Sequence, residues 1–167
     1  MPRLIALNGP PGCGKSTLAR RYTADRPGAL ALDVDRVRDL ISGDPGRAGP
    51  PARDIAIAAA RVHLRSGHDV VVPQFLGRVD FLERLEALAA EVGASFHEVV
   101  LFAEKEDALR RFARRGTVHE SPEVLARFHD LLVEVVAARR PVVVASVEGD
   151  VEGTYRALLA ALTPARP

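Results

Sequence analysis

A glycine-rich stretch near the start of the chain, GPPGCGKST at residues 9–17, constrains the fold more than any other feature of the sequence. It contains the pattern G-x-x-x-x-G-K-[ST], with Gly9, Gly14, Lys15 and Ser16 at the defining positions. An apolar run typical of a strand precedes it, and a helical pattern follows it. Turns in that context wrap phosphate chains, so the motif predicts a nucleoside triphosphate site.

Each residue type in this turn has a physical role in holding phosphates. Glycines let the backbone curl until its N–H groups point inward, at the positive end of the following helix. The ammonium of Lys15 is expected to reach the β- and γ-phosphates, and the hydroxyl of Ser16 is the expected Mg²⁺ ligand. The stretch predicts nucleotide contacts by Gly9, Gly12, Cys13, Gly14, Lys15, Ser16 and Thr17.

Beyond this turn, the sequence alternates between strand and helix patterns. Apolar and β-branched runs predict strands at 3–7, 29–32, 69–73, 96–102 and 141–145. Helical patterns occur at 16–26, 36–41, 51–66, 77–92, 104–115, 121–140 and 151–162. The segment SGDPGRAGPP at 42–51 is rich in Gly and Pro and predicts a loop. The alternation predicts an α/β three-layer sandwich, a five-stranded parallel sheet with helices on both faces.

Length and composition predict one domain, residues 1–167, without a membrane span. No run of about 18 apolar residues occurs, and no repeat or linker divides the chain. The nucleotide motif begins at residue 9, which leaves no room for a signal peptide. The single cysteine fits a reducing compartment, so we expect a cytoplasmic protein. A net charge of +1 gives no general attraction to nucleic acid.

Two classes of protein with this turn lack support in the sequence. A GTPase needs a D-x-x-G switch after the third strand and an N-K-x-D motif that reads guanine, and neither occurs. A motor ATPase needs a strand that ends in Asp-Glu and an added helical domain, whereas the third strand here ends in Gln74. The small kinases built on this turn remain.

The stretch GPPGCGKSTLARRYTADRPGALALDVDRVRDLISG, residues 9–43, resembles small P-loop kinases of the AAA_33 type. It is similar to the phage polynucleotide 5′-kinase domain, the chloramphenicol phosphotransferases and the zeta-toxin kinases. The resemblance implies that Asp35, after the second strand, takes the proton of the acceptor hydroxyl, with Arg38 beside it. Asp33 is the alternative base, or a magnesium ligand through water. Either aspartate can instead cap the following helix.

The segment DALRRFARRGTVHESPEVLARF, residues 107–128, resembles the helical lid of these kinases, expected at about 110–125. The resemblance implies that an arginine reaches over the transferring phosphate, where a guanidinium stabilises its charge. Arg115, just before Gly116, is the first choice, and Arg111 and Arg114 are expected nucleotide contacts. The alternative for each of these arginines is a solvated helix face.

Two further segments bear on the ligands. The loop VASVEGDVEG at 144–153 resembles the one that packs against adenine in small kinases, which places Gly149 at the nucleotide. Polynucleotide kinases carry an Asp just after the third strand, where this chain has Gln74. Gln74, Phe75 and Arg78 are candidate acceptor contacts, because ligands bind at the carboxyl ends of parallel strands. The alternative is that they only begin the next helix.

Together these features predict an ATP- and Mg²⁺-dependent kinase. The expected acceptor is the hydroxyl of a small molecule, such as a nucleoside, a sugar or an antibiotic. The 5′-hydroxyl of a polynucleotide is an alternative acceptor, and a nucleotide-binding module without catalysis is a second alternative. The sequence leaves the oligomeric state open.

Overall fold

Five parallel strands form one sheet in the computed structural model, which describes residues 1–103, 106, 107, 110 and 122–163. The strands are β1 (Arg3–Asn8), β2 (Leu30–Ala31), β3 (Val70–Pro73), β4 (Ser95–Phe102) and β5 (Val142–Ala145). Their order across the sheet is β2-β3-β1-β4-β5, and every neighbouring pair is parallel. The predicted five-stranded parallel sheet is confirmed.

The central strand β1 explains why its sequence is apolar without alternation. Leu4 lies opposite Val70 of β3 on one side and Phe96 of β4 on the other. Leu4, Ile5, Ala6 and Leu7 are all 0% exposed, because helices cover both faces of the sheet. β1 therefore carries the turn that follows it on a rigid, fully buried support.

Six helices are described. They are α1 (Lys15–Asp25), α2 (Val34–Asp39), α3 (Pro45–Arg65), α4 (Val79–Val92), α5 (Pro122–Arg139) and α6 (Val151–Ala161). The core on one sheet face contains side chains of α1 and α6, and the core on the other contains side chains of α3 and α4. This arrangement confirms the three-layer α/β sandwich. Most of the helix predicted at 104–115 lies outside the described residues.

The loop predicted at 42–51 is wrong for most of its length, because α3 begins at Pro45. The Asp44 side chain accepts a hydrogen bond of 2.9 Å from Gly46 N, and Pro45 occupies the first helical turn, where its missing N–H is not needed. Pro50 and Pro51 lie inside the helix and forgo two backbone hydrogen bonds. The packing of the apolar face of α3 against the core offsets that cost.

A buried tyrosine makes the stability of the fold sensitive to alkaline pH. Tyr22 of α1 is 0% exposed, and its hydroxyl donates a hydrogen bond of 2.6 Å to Asp69 Oδ2. Burial, followed by this hydrogen bond, raises the pKa of Tyr22 from 10.0 to about 12. Between these two values the unfolded chain releases a proton that the folded protein keeps. The contribution of Tyr22 to the free energy of unfolding is therefore complete below pH 10 and is lost as the pH rises to about 12.

Tyr22→Phe should lower the free energy of unfolding by about 1 kcal/mol at pH 8, where the hydrogen bond is lost and no titration intervenes. The variant should then lose less stability than the parent protein between pH 10 and pH 12. Urea unfolding at a series of pH values measures both effects. Equal losses in the two proteins over that interval would contradict the assigned pKa.

None of the helices in the described part of the chain combines the length and the apolar character that a membrane crossing requires.

Candidate functional site

The candidate site lies at the carboxyl edge of the sheet, where parallel strands present ligand-binding loops. Asn8 ends β1 and leads into the glycine-rich turn. Asp33 follows β2, Gln74 follows β3, and Ser146 follows β5. The predicted nucleotide and acceptor residues after these strands therefore share one edge.

The glycine-rich turn has the backbone conformation that an anion site requires. Gly12 and Gly14 adopt φ values of 87° and 95°, which residues with a Cβ rarely adopt. Gly14 caps α1 without a side-chain hydrogen bond, so the first N–H groups of that helix are available to a ligand. The cavity here, of about 130 Å³, is lined by Gly12, Gly14, Lys15, Ser16, Thr17 and Arg20. Backbone donors and two cations suit a triphosphate.

The first glycine of the motif is required by close packing. A Cβ on Gly9 would lie 2.7 Å from both Cys13 Sγ and the Leu101 carbonyl oxygen. Cys13 itself is buried, which fits a role in the packing of the turn.

The ammonium of Lys15 is held over the turn by backbone carbonyls. Lys15 Nζ donates to Gly9 O at 2.8 Å and to Pro10 O at 2.9 Å. It also lies 3.9 Å from Cys13 Sγ. The positive charge is thus positioned inside the curve of the turn before any ligand arrives.

A larger cavity, of about 310 Å³, adjoins the turn on the side of the loop between β5 and α6. Its lining residues are Gly12, Cys13, Gly14, Thr17, Leu18, Ser146, Val147, Glu148, Gly149, Val151 and Thr154. The Ser146 hydroxyl donates to Cys13 O at 2.9 Å and ties this loop to the turn. The volume and the apolar walls fit a nucleobase, and Gly149 is among the lining residues.

Asp33 caps α2 and also faces the phosphate end of the site. Its Oδ1 accepts from Asp35 N at 3.1 Å and from Arg36 N at 3.4 Å. Asp33 shares a cavity of about 110 Å³ with Ser16 and Arg20. No cluster of three metal-ligating side chains occurs among the described residues. Ser16, with Asp33 nearby, fits a Mg²⁺ ion that takes its remaining ligands from phosphates and water.

A separate cavity, of about 70 Å³, lies where β3, α2 and α3 meet. Its lining residues are Val34, Asp35, Arg38, Gly49, Ala52, Arg53, Gln74, Phe75, Leu76 and Phe81. Asp35 Oδ1 lies 3.1 Å from Arg38 Nη1, and Asp35 Oδ2 accepts from Gln74 Nε2 at 3.3 Å. The structure therefore brings Asp35, Arg38 and Gln74 together, with about half of the Asp35 side chain exposed.

Other candidate residues lie apart from this cavity or outside the described residues. Arg78 is 83% exposed at the start of α4, and its Nε pairs with Asp80 Oδ1 at 3.5 Å. The expected lid residues Arg111, Arg114 and Arg115 lie outside the described residues. Their roles remain predictions.

The sequence analysis missed Asn8, which joins the two halves of the site. Asn8 is 0% exposed, and its Oδ1 accepts from Gly9 N at 2.7 Å and from Leu76 N at 2.8 Å. Its Nδ2 donates to Leu76 O at 2.9 Å. The same amide thus fixes the start of the glycine-rich turn and the loop after β3. Asn8 and Gln74 are the only side-chain amides in the sequence, and both stand where a strand ends, which is a signal that marks them.

Asn8→Ala should lower the free energy of unfolding by about 3 kcal/mol, because it leaves three buried backbone groups unpaired. Urea unfolding of the purified variant measures the loss. Thr23→Ala, which removes a hydroxyl bonded to Arg20 O on an exposed face, is the control and should cost less than about 0.5 kcal/mol. A similarly small loss for Asn8→Ala would show that the amide does not hold the two loops together.

The sequence analysis also did not identify Arg20 and Arg53 as candidate site residues. Arg20 lies one helical turn beyond Ser16 and lines both cavities at the phosphate end. Arg53 lines the cavity that contains Asp35. No local pattern marks either residue, because each reaches its cavity through the packing of a helix on the sheet.

Comparison with known proteins agrees with this architecture. The chain matches the model of the AAA_33 family, described as an AAA domain, over residues 4–135. No curated protein matches the sequence.

Solved structures share the fold. A tunicamycin resistance protein from Deinococcus radiodurans is 21% identical with a TM-score of 0.66, and all of both chains is covered. A gluconokinase from Sinorhizobium meliloti 1021 is 19% identical with a TM-score of 0.67 over 96% of this chain and 91% of that one. An APS kinase from Mycobacterium tuberculosis is 23% identical with a TM-score of 0.50 over 59% and 74%.

At these identities the structural likeness is evidence of the fold, and the match to the family model covers most of the chain. The five-stranded parallel sheet agrees with the fold of these structures. The chain therefore belongs to the AAA_33 family, and its fold is that of the small P-loop kinases.

Proposed function

We propose that this protein is a kinase that transfers the γ-phosphate of ATP to a hydroxyl of a small molecule, with Mg²⁺ bound alongside the nucleotide. The observation that carries the proposal is the separate cavity of about 70 Å³, in which Asp35 lies between Arg38 and Gln74. A module that only holds a nucleotide needs no separate cavity with an accessible carboxylate. A single-domain, cytoplasmic enzyme fits the sequence and is part of the proposal.

The donor half of the site binds and orients the triphosphate. The N–H groups around Gly12 and Gly14 receive the phosphates, and the base occupies the cavity of about 310 Å³ beside Gly149. Lys15 moves its ammonium from two carbonyls onto the β- and γ-phosphate oxygens, and Arg20 adds positive charge at the same end. Mg²⁺, when bound, neutralises phosphate charge, and the Ser16 hydroxyl would hold it.

The acceptor half supplies the base. Asp35 takes the proton of the acceptor hydroxyl as that oxygen forms a bond to the γ-phosphorus and the bond from this phosphorus to the leaving oxygen of ADP breaks. Arg38 and Gln74 each hold one carboxylate oxygen, which fixes the direction of the remaining lone pairs. Asp35 is favoured over Asp33 as the base because Asp35 lines the separate cavity, whereas Asp33 caps α2 and lines the cavity with Ser16 and Arg20.

The acceptor cavity favours a small molecule over a polynucleotide. Its volume is about 70 Å³, much less than the nucleobase cavity. The net charge of +1 and the aromatic content of 5% provide neither a general basic surface nor many rings for stacked bases.

The test is incubation with γ-labelled ATP and a panel of nucleosides, sugars, sugar acids, aminoglycosides and oligonucleotides with free 5′-hydroxyls. Label should move to a small hydroxylated compound, and Lys15→Ala should abolish the transfer. Retention of nucleotide with no labelled product would contradict the kinase proposal and favour a binding module. Label on oligonucleotides alone would replace the small acceptor by a polynucleotide.

A further inference from the structure

The cavity that holds Asp35 also contains a positive charge that the proposed chemistry does not use. Arg38 is balanced by Asp35 at 3.1 Å. Arg53, on the next helix, lines the same cavity, and within the described part of the chain no carboxylate lies at ion-pair distance from it. Its neighbour Asp54 instead pairs with Arg84 across to α4. The cavity therefore has one more guanidinium than it has carboxylates.

Most of the arginines that line no cavity in the described part of the chain have carboxylate partners. Arg47, Arg61 and Arg65, on the same helix as Arg53, pair with Asp44 or Glu91. An exposed guanidinium without such a partner, beside an ion pair that is already formed, is well placed to bind an anion from solution. Its planar fork suits a carboxylate or a phosphate, which it can hold through two parallel hydrogen bonds.

A second feature is an unpaired acceptor on Gln74, a residue that lines the cavity. Gln74 Oε1 is buried and has no hydrogen-bond partner, although the other end of the amide donates to Asp35. A buried acceptor left unpaired costs free energy, and a ligand hydroxyl that reaches this oxygen would satisfy it. The cavity walls thus combine a free cation, an unpaired acceptor and the carboxylate.

We propose that the acceptor is a small hydroxylated anion whose carboxylate or phosphate is bound by Arg53 while one of its hydroxyls faces Asp35. This inference rests on the proposed kinase function and narrows its substrate class. Arg53 acts as a specificity residue, since it binds the group that distinguishes the acceptor from its neutral counterpart. The transferred phosphate and the proton move as described above, and Arg53 takes no part in that step.

The experiment compares matched acceptors with and without the anionic group. Glycerate and glycerol 3-phosphate are each compared with glycerol, and a six-carbon sugar acid is compared with the sugar alcohol of equal length. With saturating ATP, the anionic member of a pair should have a kcat/KM about 10- to 100-fold higher. A preference for glycerate over glycerol would identify the bound group as a carboxylate, and a preference for glycerol 3-phosphate would identify it as a phosphate.

Arg53→Ala should raise the KM for the anionic acceptor about 10- to 100-fold and leave the neutral one unchanged. Arg53→Lys should recover part of the loss, because it keeps the charge without the fork. Arg47→Ala, on the first turns of the same helix and paired with Asp44, is the matched control and should leave every value unchanged. In the parent protein, the KM for the anion should also rise with ionic strength, and this dependence should weaken in Arg53→Ala.

Each other outcome overturns the inference in a distinguishable way. Equal or better use of the neutral members would show that the acceptor is not an anion, while the kinase proposal would stand. An anionic preference that survives Arg53→Ala would remove the assigned role of Arg53. Transfer to oligonucleotides only would exclude a small anion. No transfer to any compound would contradict the kinase proposal and this inference with it.

Discussion

Asp35→Asn should lower kcat for phosphoryl transfer by about 10³-fold and leave the dissociation constant of ATP near that of the parent protein. The amide cannot take the proton of the acceptor hydroxyl, but it has nearly the same shape as the carboxylate. Asp35 lies in the cavity away from the phosphate-binding turn, so nucleotide binding should not sense the change. Rapid-quench kinetics and isothermal titration with ATP measure the two quantities.

Two further variants make this result specific. Asp39→Asn removes an exposed carboxylate from the same helix and should leave transfer unchanged. Asp33→Asn keeps a side-chain oxygen that can cap α2 but removes a negative charge near Ser16, so it should need more Mg²⁺ and retain most of its kcat once Mg²⁺ is saturating. Full activity in Asp35→Asn would contradict its assignment as the base. Loss of activity at saturating Mg²⁺ in Asp33→Asn alone would move that role to Asp33.

Lys15→Ala should reduce kcat/KM by about 10³-fold or more, through weaker ATP binding and a slower chemical step. The ammonium is the charge positioned inside the turn, 2.8 Å from Gly9 O and 2.9 Å from Pro10 O, where the phosphates would lie. Removal of this charge leaves the developing negative charge on the transferred group without its nearest cation. Steady-state kinetics with ATP varied at saturating acceptor measures the loss.

Arg21→Ala is the matched control on the same helix. Arg21 pairs with Glu152 at 2.9 Å on the surface, so its removal changes the net charge equally without touching the turn. Such exposed pairs contribute little to stability, and the control should retain activity. Similar kinetics for Lys15→Ala and the parent protein would contradict the placement of the triphosphate in this turn.

The parts of the fold that follow from local pattern were predictable from the sequence. β1 is buried on both faces, so its apolar run has no alternation, and the motif after it specifies the turn. The start of α3 was not predictable in this way. Prolines at positions 50 and 51 predict a break, and only the packing of α3 on the core and the cap from Asp44 overcome it.

In the candidate site too, the residues marked by a local pattern were predictable, and those placed by tertiary packing were not. Asp35, Arg38 and Gln74 were identified because each follows a strand end or matches a family position. Asn8 contacts Leu76, which is 68 residues away in the sequence, so its role depends on the parallel pairing of β1 with β3. Arg53 lies in the segment 51–66 that the sequence predicted to be helical, but its place in the cavity depends on how α3 packs beside α2 and the end of β3.

The proposed kinase holds ATP in the glycine-rich turn and the adjoining cavity of about 310 Å³, and a hydroxyl acceptor in the cavity that contains Asp35, for direct transfer between them. The most direct test is the stoichiometry of products at saturating ATP, with ADP, inorganic phosphate and phosphorylated acceptor quantified by ³¹P NMR as the acceptor concentration is varied. The proposal predicts one phosphoester for each ADP formed, with ADP production dependent on the acceptor. ADP formation matched by inorganic phosphate at every acceptor concentration, with no phosphoester, would contradict it.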